Sequence, residues 1–248
     1  MTLMPILQIH TEDAADYAIV CGDPKRAELI SRKLEHVREL AFSREYRTFA
    51  GEIQGVRVLV TSHGVGSAGA AVCFEELIRA GVKTLIRVGT AGSYSADHPA
   101  GSLIVSSAAV RAEGLTRQLV PDGYPAVGDS DVVNALYAAA LETEGDGVVK
   151  KGMTVSLDVF FSGVVDVPHR QYKQAGVLAV EMEIAALYVV ASLRGARAGA
   201  IVALDGYADS DLAAEYDPHT DVVAKAVERE INAALGAVVK LAASAQAR

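Results

Sequence analysis

The sequence predicts an α/β protein, a three-layer α/β/α sandwich around a mixed sheet. Short apolar, β-rich runs alternate with stretches of helical periodicity. Half of the 248 residues are hydrophobic (51%), enough to fill the two interfaces between three layers. In chain order, YAIVC (17–21) is a buried strand that stops at GDP, and 24–34 reads as helix. YRTFAGEI and VRVLVTS, joined at Gln54-Gly55, form a hairpin. Apolar residues at helical spacing follow over 68–80, then two buried strands, KTLIRVG (83–89) and SLIVSSAAV (102–110). A helix over 131–144 precedes extended stretches at 148–155 and 176–180. The chain continues with an apolar helix over 183–193, a strand AGAIVAL (198–204) and a long helix over 217–243. No repeat, low-complexity tract or linker breaks this pattern, so 1–248 reads as one domain.

Charge narrows the function. Lys and Arg number 23 against 31 Asp and Glu, for a net charge of -8, which argues against a nucleic-acid surface. A local anion pocket built from a few arginines remains compatible with it. The two cysteines, Cys21 and Cys73, have neither metal-ligand spacing nor a disulfide pattern, and a cytoplasmic setting is expected. The start, MTLMPILQIHTED, lacks the basic region of a signal peptide. Apolar stretches reach about ten residues, as in 184–193, well short of a bilayer span.

In α/β sheets ligands gather at the carboxyl ends of strands. Three of those ends carry charged or glycine-rich residues: Gly22-Asp23-Pro24-Lys25-Arg26, Arg87-Val88-Gly89-Thr90-Ala91-Gly92, and Asp205-Gly206. A fourth, TSHGVGSAGA (61–70), contains G-x-G-x-x-G in Gly64, Gly66 and Gly69. A dinucleotide fingerprint needs a carboxylate about 20 positions on, at the next strand tip. That tip is Arg87 to Thr90, while Glu75 and Glu76 fall inside the helix. Dinucleotide binding is therefore not expected. The glycines serve either a tight packing turn or close approach of backbone to a ligand.

Gly22 with Arg26, and Gly89 and Thr90 with Arg87, combine loop amides with a guanidinium, a pairing suited to phosphate. Arg44, in SREYRT just before the hairpin, is a third candidate. Ordinary surface ion pairs are the alternative for all three. Arg87 resists it, because its strand is otherwise apolar and an unpaired guanidinium there is costly; something anionic should meet it. Glu183 stands where a strand passes into a helix, suited either to the helix N-terminus or to accepting from two vicinal sugar hydroxyls. Asp205 is either the start of an Asp-Gly turn or a general acid at the end of a buried strand.

GDPKRA, SREYRT, SHGVGSAGAAVCFEEL, IRVGTAGS, PAVGDSDV, VEMEIAAL and IVALDG follow one another over nearly the whole chain. In that order they resemble the nucleoside phosphorylase family of the purine nucleoside and uridine phosphorylase type, the hexameric purine branch most of all. The resemblance implies a partly barrel-like sheet and phosphate held by Gly22, Arg26, Arg87 and Thr90. Arg44 would reach a neighbouring subunit's site, in a trimer of dimers. Met182 and Glu183 would hold ribose, and Val65, Phe160 and Val180 would line the nucleoside pocket. Asp205 would protonate purine N7, and neither metal nor organic cofactor would be needed.

The pattern departs from the family in two places. Ile6 aligns where members usually carry a histidine that reaches the adjoining ribose 5′-hydroxyl, with His10 four residues on. An apolar 5′ pocket would favour 5′-deoxy or 5′-methylthio nucleosides. DGYADSDLAAEY also lacks the arginine that follows the catalytic Asp in many bacterial purine enzymes. Uridine phosphorylase is the nearest rival, yet its FYPGQER-like segment is not matched by FFSGVVDVPHR. A nucleosidase using water, or a non-catalytic nucleoside-binding protein, are further rivals. The arginine set speaks against the first and Asp205 against the second.

Overall fold

The fold was taken from a computed structural model, which describes residues 2–161, 163–208 and 219–246. β1 (Tyr17–Cys21) lies between β4 (Val56–Ser62) and β5 (Thr84–Ser93), all three parallel, with Tyr17 opposite both Val58 and Thr84. On the far side of β4, β3 (Tyr46–Ile53) and β2 (Glu35–Ser43) continue the sheet as an antiparallel meander. On the other side, β5 runs parallel to β10 (Arg197–Tyr207), which pairs antiparallel with β6 (Leu103–Arg111). β6 is parallel to β8 (Val149–Ser156), β8 to β9 (Ala179–Glu181), and β9 returns antiparallel to β5. Those five strands close on themselves, so the sheet is a small barrel with an open extension through β1, β4, β3 and β2. A short strand, β7 (Ala126–Val127), edges β6.

Helices cover both faces. Parallel strands are buried on both sides and read as continuous apolar runs, and here successive residues feed opposite cores. Ala18 and Val20 of β1 pack with α2 (Ser67–Ala80) and α6 (Ile184–Arg194). Tyr17, Ile19 and Cys21 pack with α1 (Pro24–Ser31), α4 (Ser130–Leu141) and α7 (Asp221–Gln246). Asp23 caps α1 by accepting from Lys25 N (2.8 Å), and Asp129 caps α4 through Val132 N (3.0 Å); each such cap stabilises a helix by about 1 kcal/mol. Among the described residues no helix is long and apolar enough to cross a membrane.

The three-layer sandwich around a mixed sheet is as the sequence predicts, and the hairpin across Gln54-Gly55 is β3–β4. Two strands were not expected, the two-residue β7 and the longer β2. β2, EHVRELAFS, is mostly exposed and its register slips twice against β3, so no period-2 apolar pattern marks it. Charged edge strands of this kind resist unwanted pairing. Two short helices, α3 (Gly114–Leu119) and α5 (His169–Gln174), also escape the periodicity; α5 buries none of its residues. The long helix expected over 217–243 is α7, and residues 209–218, including most of the segment after Asp205, lie outside the described residues.

Candidate active site

Because β1, β4 and β5 are parallel, their carboxyl ends emerge along one edge and bring Gly22, His63-Gly64 and Arg87 to Thr90 together. The loops are bonded directly: His63 N donates to Cys21 O (2.8 Å) and Gly64 N to Gly22 O (3.0 Å). A Cβ on Gly22 would lie 3.2 Å from Gly64 O, so the two backbones touch. β10 delivers Asp205 beside β5. Its register slips between Leu204 and Gly206, so Asp205 is the extra residue of a bulge at the rim of the barrel. Bulges re-aim a side chain, and Asp205 is 6% exposed. β9 reaches the same edge through Val180, opposite Gly92, and leads into Glu181, Met182 and Glu183.

Arg87 is the hub. It is 4% exposed, and its Nη2 donates to Glu183 Oε2 (2.5 Å) and Glu181 Oε2 (3.3 Å). Its Nη1 faces His63 Nε2 at 3.2 Å. Burial and the guanidinium hold the His63 pKa well below its usual range. The neutral ring therefore accepts at Nε2 and donates from Nδ1 to Gly64 O (2.9 Å). Arg87 Nε is buried with no protein partner, a donor left open in the network. Gly89 makes the arrangement fit, since a Cβ there would lie 2.8 Å from Arg87 Nη1. The anion expected to meet Arg87 is thus supplied by the protein itself, by Glu181 and Glu183.

Glu183 precedes α6 but makes no side-chain cap. Its Oε1 instead accepts from Gly66 N (2.6 Å) across the fold. Gly66 adopts φ +96, open to glycine and strained for other residues, and that turns its N–H toward the carboxylate. Ser67 Oγ donates to Met182 O (2.6 Å), so the glycine turn is stitched to the Met182-Glu183 backbone. The neighbouring carboxylate, Glu181, accepts from Ser156 Oγ, Glu183 N (2.7 Å) and Ile184 N. Burial raises its pKa, and Arg87 draws it back.

The remaining candidates fall around this core. Arg26, on the first turn of α1, points its Nη1 to Glu230 Oε1 at 3.7 Å. Thr90, half-buried, pairs with Ala203 of β10. Val65 projects from the glycine turn, 80% exposed. Phe160 sits on the loop after β8, 58% exposed and edge-on to Phe161 at 5.0 Å. Arg44 stands two residues before β3, the first strand of the β3–β4 hairpin. It occupies, with φ +55, the turn of a second hairpin, β2–β3, and is exposed. That turn leans on the glycine loop: a Cβ at Gly64 would lie 2.8 Å from Glu45 Cγ. Sequence reasoning assigned no role to His63, Glu181 or Glu230. Among the described residues, no group of three or more His, Cys, Asp or Glu is placed to hold a metal ion.

Fold and site together define an α/β protein whose barrel rim gathers arginines, glycine amides and carboxylates. Residues 16–240 match the phosphorylase superfamily, and the chain belongs to that family. It is 37% identical over 243 residues to a purine nucleoside phosphorylase of Plasmodium falciparum, covering 97% of each chain. It is 40% identical over 209 residues to a uridine phosphorylase of Thermococcus kodakarensis, covering 77% of this chain and 73% of that one. The crystal structure of purine nucleoside phosphorylase from Toxoplasma gondii in complex with immucillin-H matches with a TM-score of 0.91 and 30% identity over 97% of both chains.

Proposed function

We propose that this phosphorylase-superfamily enzyme cleaves purine nucleosides such as inosine and guanosine with inorganic phosphate, giving free base and ribose 1-phosphate. The observation that carries the reading is the Arg87–Glu183 pair, set at the strand edge between the Gly22–Arg26 loop and Asp205. Gly22, Arg26, Arg87 and Thr90 hold phosphate, and Glu183 with Met182 holds ribose. One guanidinium then touches both the anion and the carboxylate that orients the sugar, so it sets the distance from phosphate to C1′. The open Nε of Arg87 supports this, since an unmet buried donor costs about 1–3 kcal/mol.

As the glycosidic bond breaks, positive charge grows on ribose and negative charge on the base. Phosphate offsets the first and attacks C1′; Asp205 gives a proton to N7 and offsets the second. Val65, Phe160 and the Val180 backbone line the nucleoside. The reaction as proposed needs no metal or organic cofactor. The whole chain acts as one domain in the cytoplasm, in a hexamer built as a trimer of dimers. Arg44, exposed on its hairpin turn, is donated across the dimer interface.

Uridine is the competing substrate, favoured by the identity to a uridine phosphorylase and disfavoured by the lack of a FYPGQER-like segment. Methylthioadenosine is the reading that Ile6 suggests. Base release from inosine, guanosine, adenosine, methylthioadenosine and uridine, each at saturating phosphate, decides among them. A purine preference is expected; faster release of uracil than of any purine would reverse the assignment. Gly89→Ala adds a check on the anion site. The new Cβ displaces the Arg87 guanidinium and raises KM for phosphate about tenfold or more, the value of a charged hydrogen bond. An unchanged KM would remove Arg87 from phosphate binding.

A further inference from the structure

Glu230 is the one fully buried carboxylate in the apolar stripe of α7, where Ala226, Ala233 and Ala237 take the flanking core positions. Its Oε2 accepts from Ala203 N (3.0 Å), and the carboxylate also faces the Gly89 amide, so it touches both β10 and β5 beside the proposed phosphate site. Its Oε1 has no hydrogen-bond partner and stands 3.7 Å from Arg26 Nη1. A buried, half-satisfied carboxylate is costly unless it is paired or protonated. Glu230 therefore competes with any anion for Arg26.

We propose that Glu230 is a proton-linked positioning residue for phosphate: as a carboxylate it draws Arg26 back toward α7, and when phosphate binds it takes one proton from solvent and releases Arg26 to the anion. The bookkeeping is a single protonation, carboxylate plus proton giving carboxylic acid, with no other bond changed. The inference rests on the phosphate site assigned above.

The surroundings are consistent with it. Arg26 from α1 and Arg87 from β5 are the cations that face Glu230. The Cys21 thiol of β1 also lies within its field and is uncharged, pushed up to about 12 by burial. α4 packs on α7 through apolar side chains such as Leu136. β10 contributes the Ala203 amide, with Asp205 two residues further on. Burial outweighs both arginines and raises the Glu230 pKa to about 8. Below that pH the acid form predominates and Arg26 is available. Above it, binding of phosphate has to bring in a proton, so KM for phosphate climbs toward tenfold per pH unit while kcat holds.

Two measurements test this. In the wild-type enzyme, calorimetric titration with inorganic phosphate in two buffers of different ionisation enthalpy is run near pH 9, about one unit above the Glu230 pKa, where the free carboxyl is mostly ionised and phosphate is the dianion. Uptake of close to one proton per phosphate bound is expected; no uptake overturns the proposal without any variant. Glu230→Gln, neutral at every pH, should keep kcat and lose both the proton uptake and the rise in KM. A glutamine variant that keeps the wild-type pH profile of KM overturns the proposal while phosphate dependence, and so the proposed reaction, stands. Base release that ignores phosphate altogether removes the anion site and the proposal with it.

Discussion

Asp205→Asn is expected to lower kcat for inosine phosphorolysis by about 10²–10⁴-fold, the usual contribution of a positioned general acid. Asparagine fills the same space at the bulge and keeps a hydrogen-bond donor, so folding and KM for phosphate are expected to survive. What it lacks is a proton to give. The sharper form of the prediction uses a purine nucleoside methylated at N7. That base already carries the positive charge protonation would create, so the variant should cleave it nearly as fast as wild type does. Equal losses on inosine and on the N7-methylated nucleoside would show that Asp205 acts through binding or structure and not as an acid.

Arg87→Met has the largest expected effect on the fold as well as on activity. It leaves Glu181 and Glu183 side by side in the interior, Glu181 1% and Glu183 6% exposed at the side chain, without the cation between them. Removing one partner of a buried ion cluster costs about 3–5 kcal/mol, a large share of the stability of a domain. Phosphate-dependent turnover should disappear. The pH dependence has a definite sign. Without the guanidinium, Glu181, whose pKa burial already raises, is favoured as the acid in the folded state. A folded-state pKa above the unfolded one adds stability at low pH that is lost as pH rises, so the deficit shrinks in mild acid. Adding Glu183→Gln should restore part of the loss, because the two changes share one network. Denaturant unfolding of both variants across pH reads this directly; simple additivity of the two losses would contradict the coupled cluster.

Much of the molecule was legible in the sequence because its strands are buried on both faces. YAIVC and AGAIVAL announce themselves as unbroken apolar runs, and a charge at the end of such a run, as at Arg87 and Asp205, is conspicuous. β2 was hidden for the opposite reason: it is a charged, mostly exposed edge strand, held by backbone pairing to β3 and by ion pairs such as Arg38–Asp13 and Arg47–Glu39. The partners of Arg87 were hidden by distance along the chain, 24 residues to His63 and 94 to Glu181. Glu181 was in view next to Glu183, but nothing local shows that two strand-end carboxylates share one guanidinium. The bulge that makes Asp205 an extra residue depends on register with β5, which no single segment encodes. Glu230 did leave a trace, a lone acid at the core spacing of a helix between Ala226 and Ala233. Arg44 was placed in the right neighbourhood without its hairpin, since the exposed strand before it has no apolar signature.

In the proposed reaction phosphate, not water, takes the ribosyl group. Phosphorus NMR of the enzyme with inosine and inorganic phosphate tests it most directly, followed alongside release of hypoxanthine. A sugar 1-phosphate resonance is expected to grow in step with free base while inorganic phosphate falls by the same amount. Free base accompanied by free ribose, with the phosphate signal unchanged, would make the enzyme a hydrolase and rule out phosphorolysis.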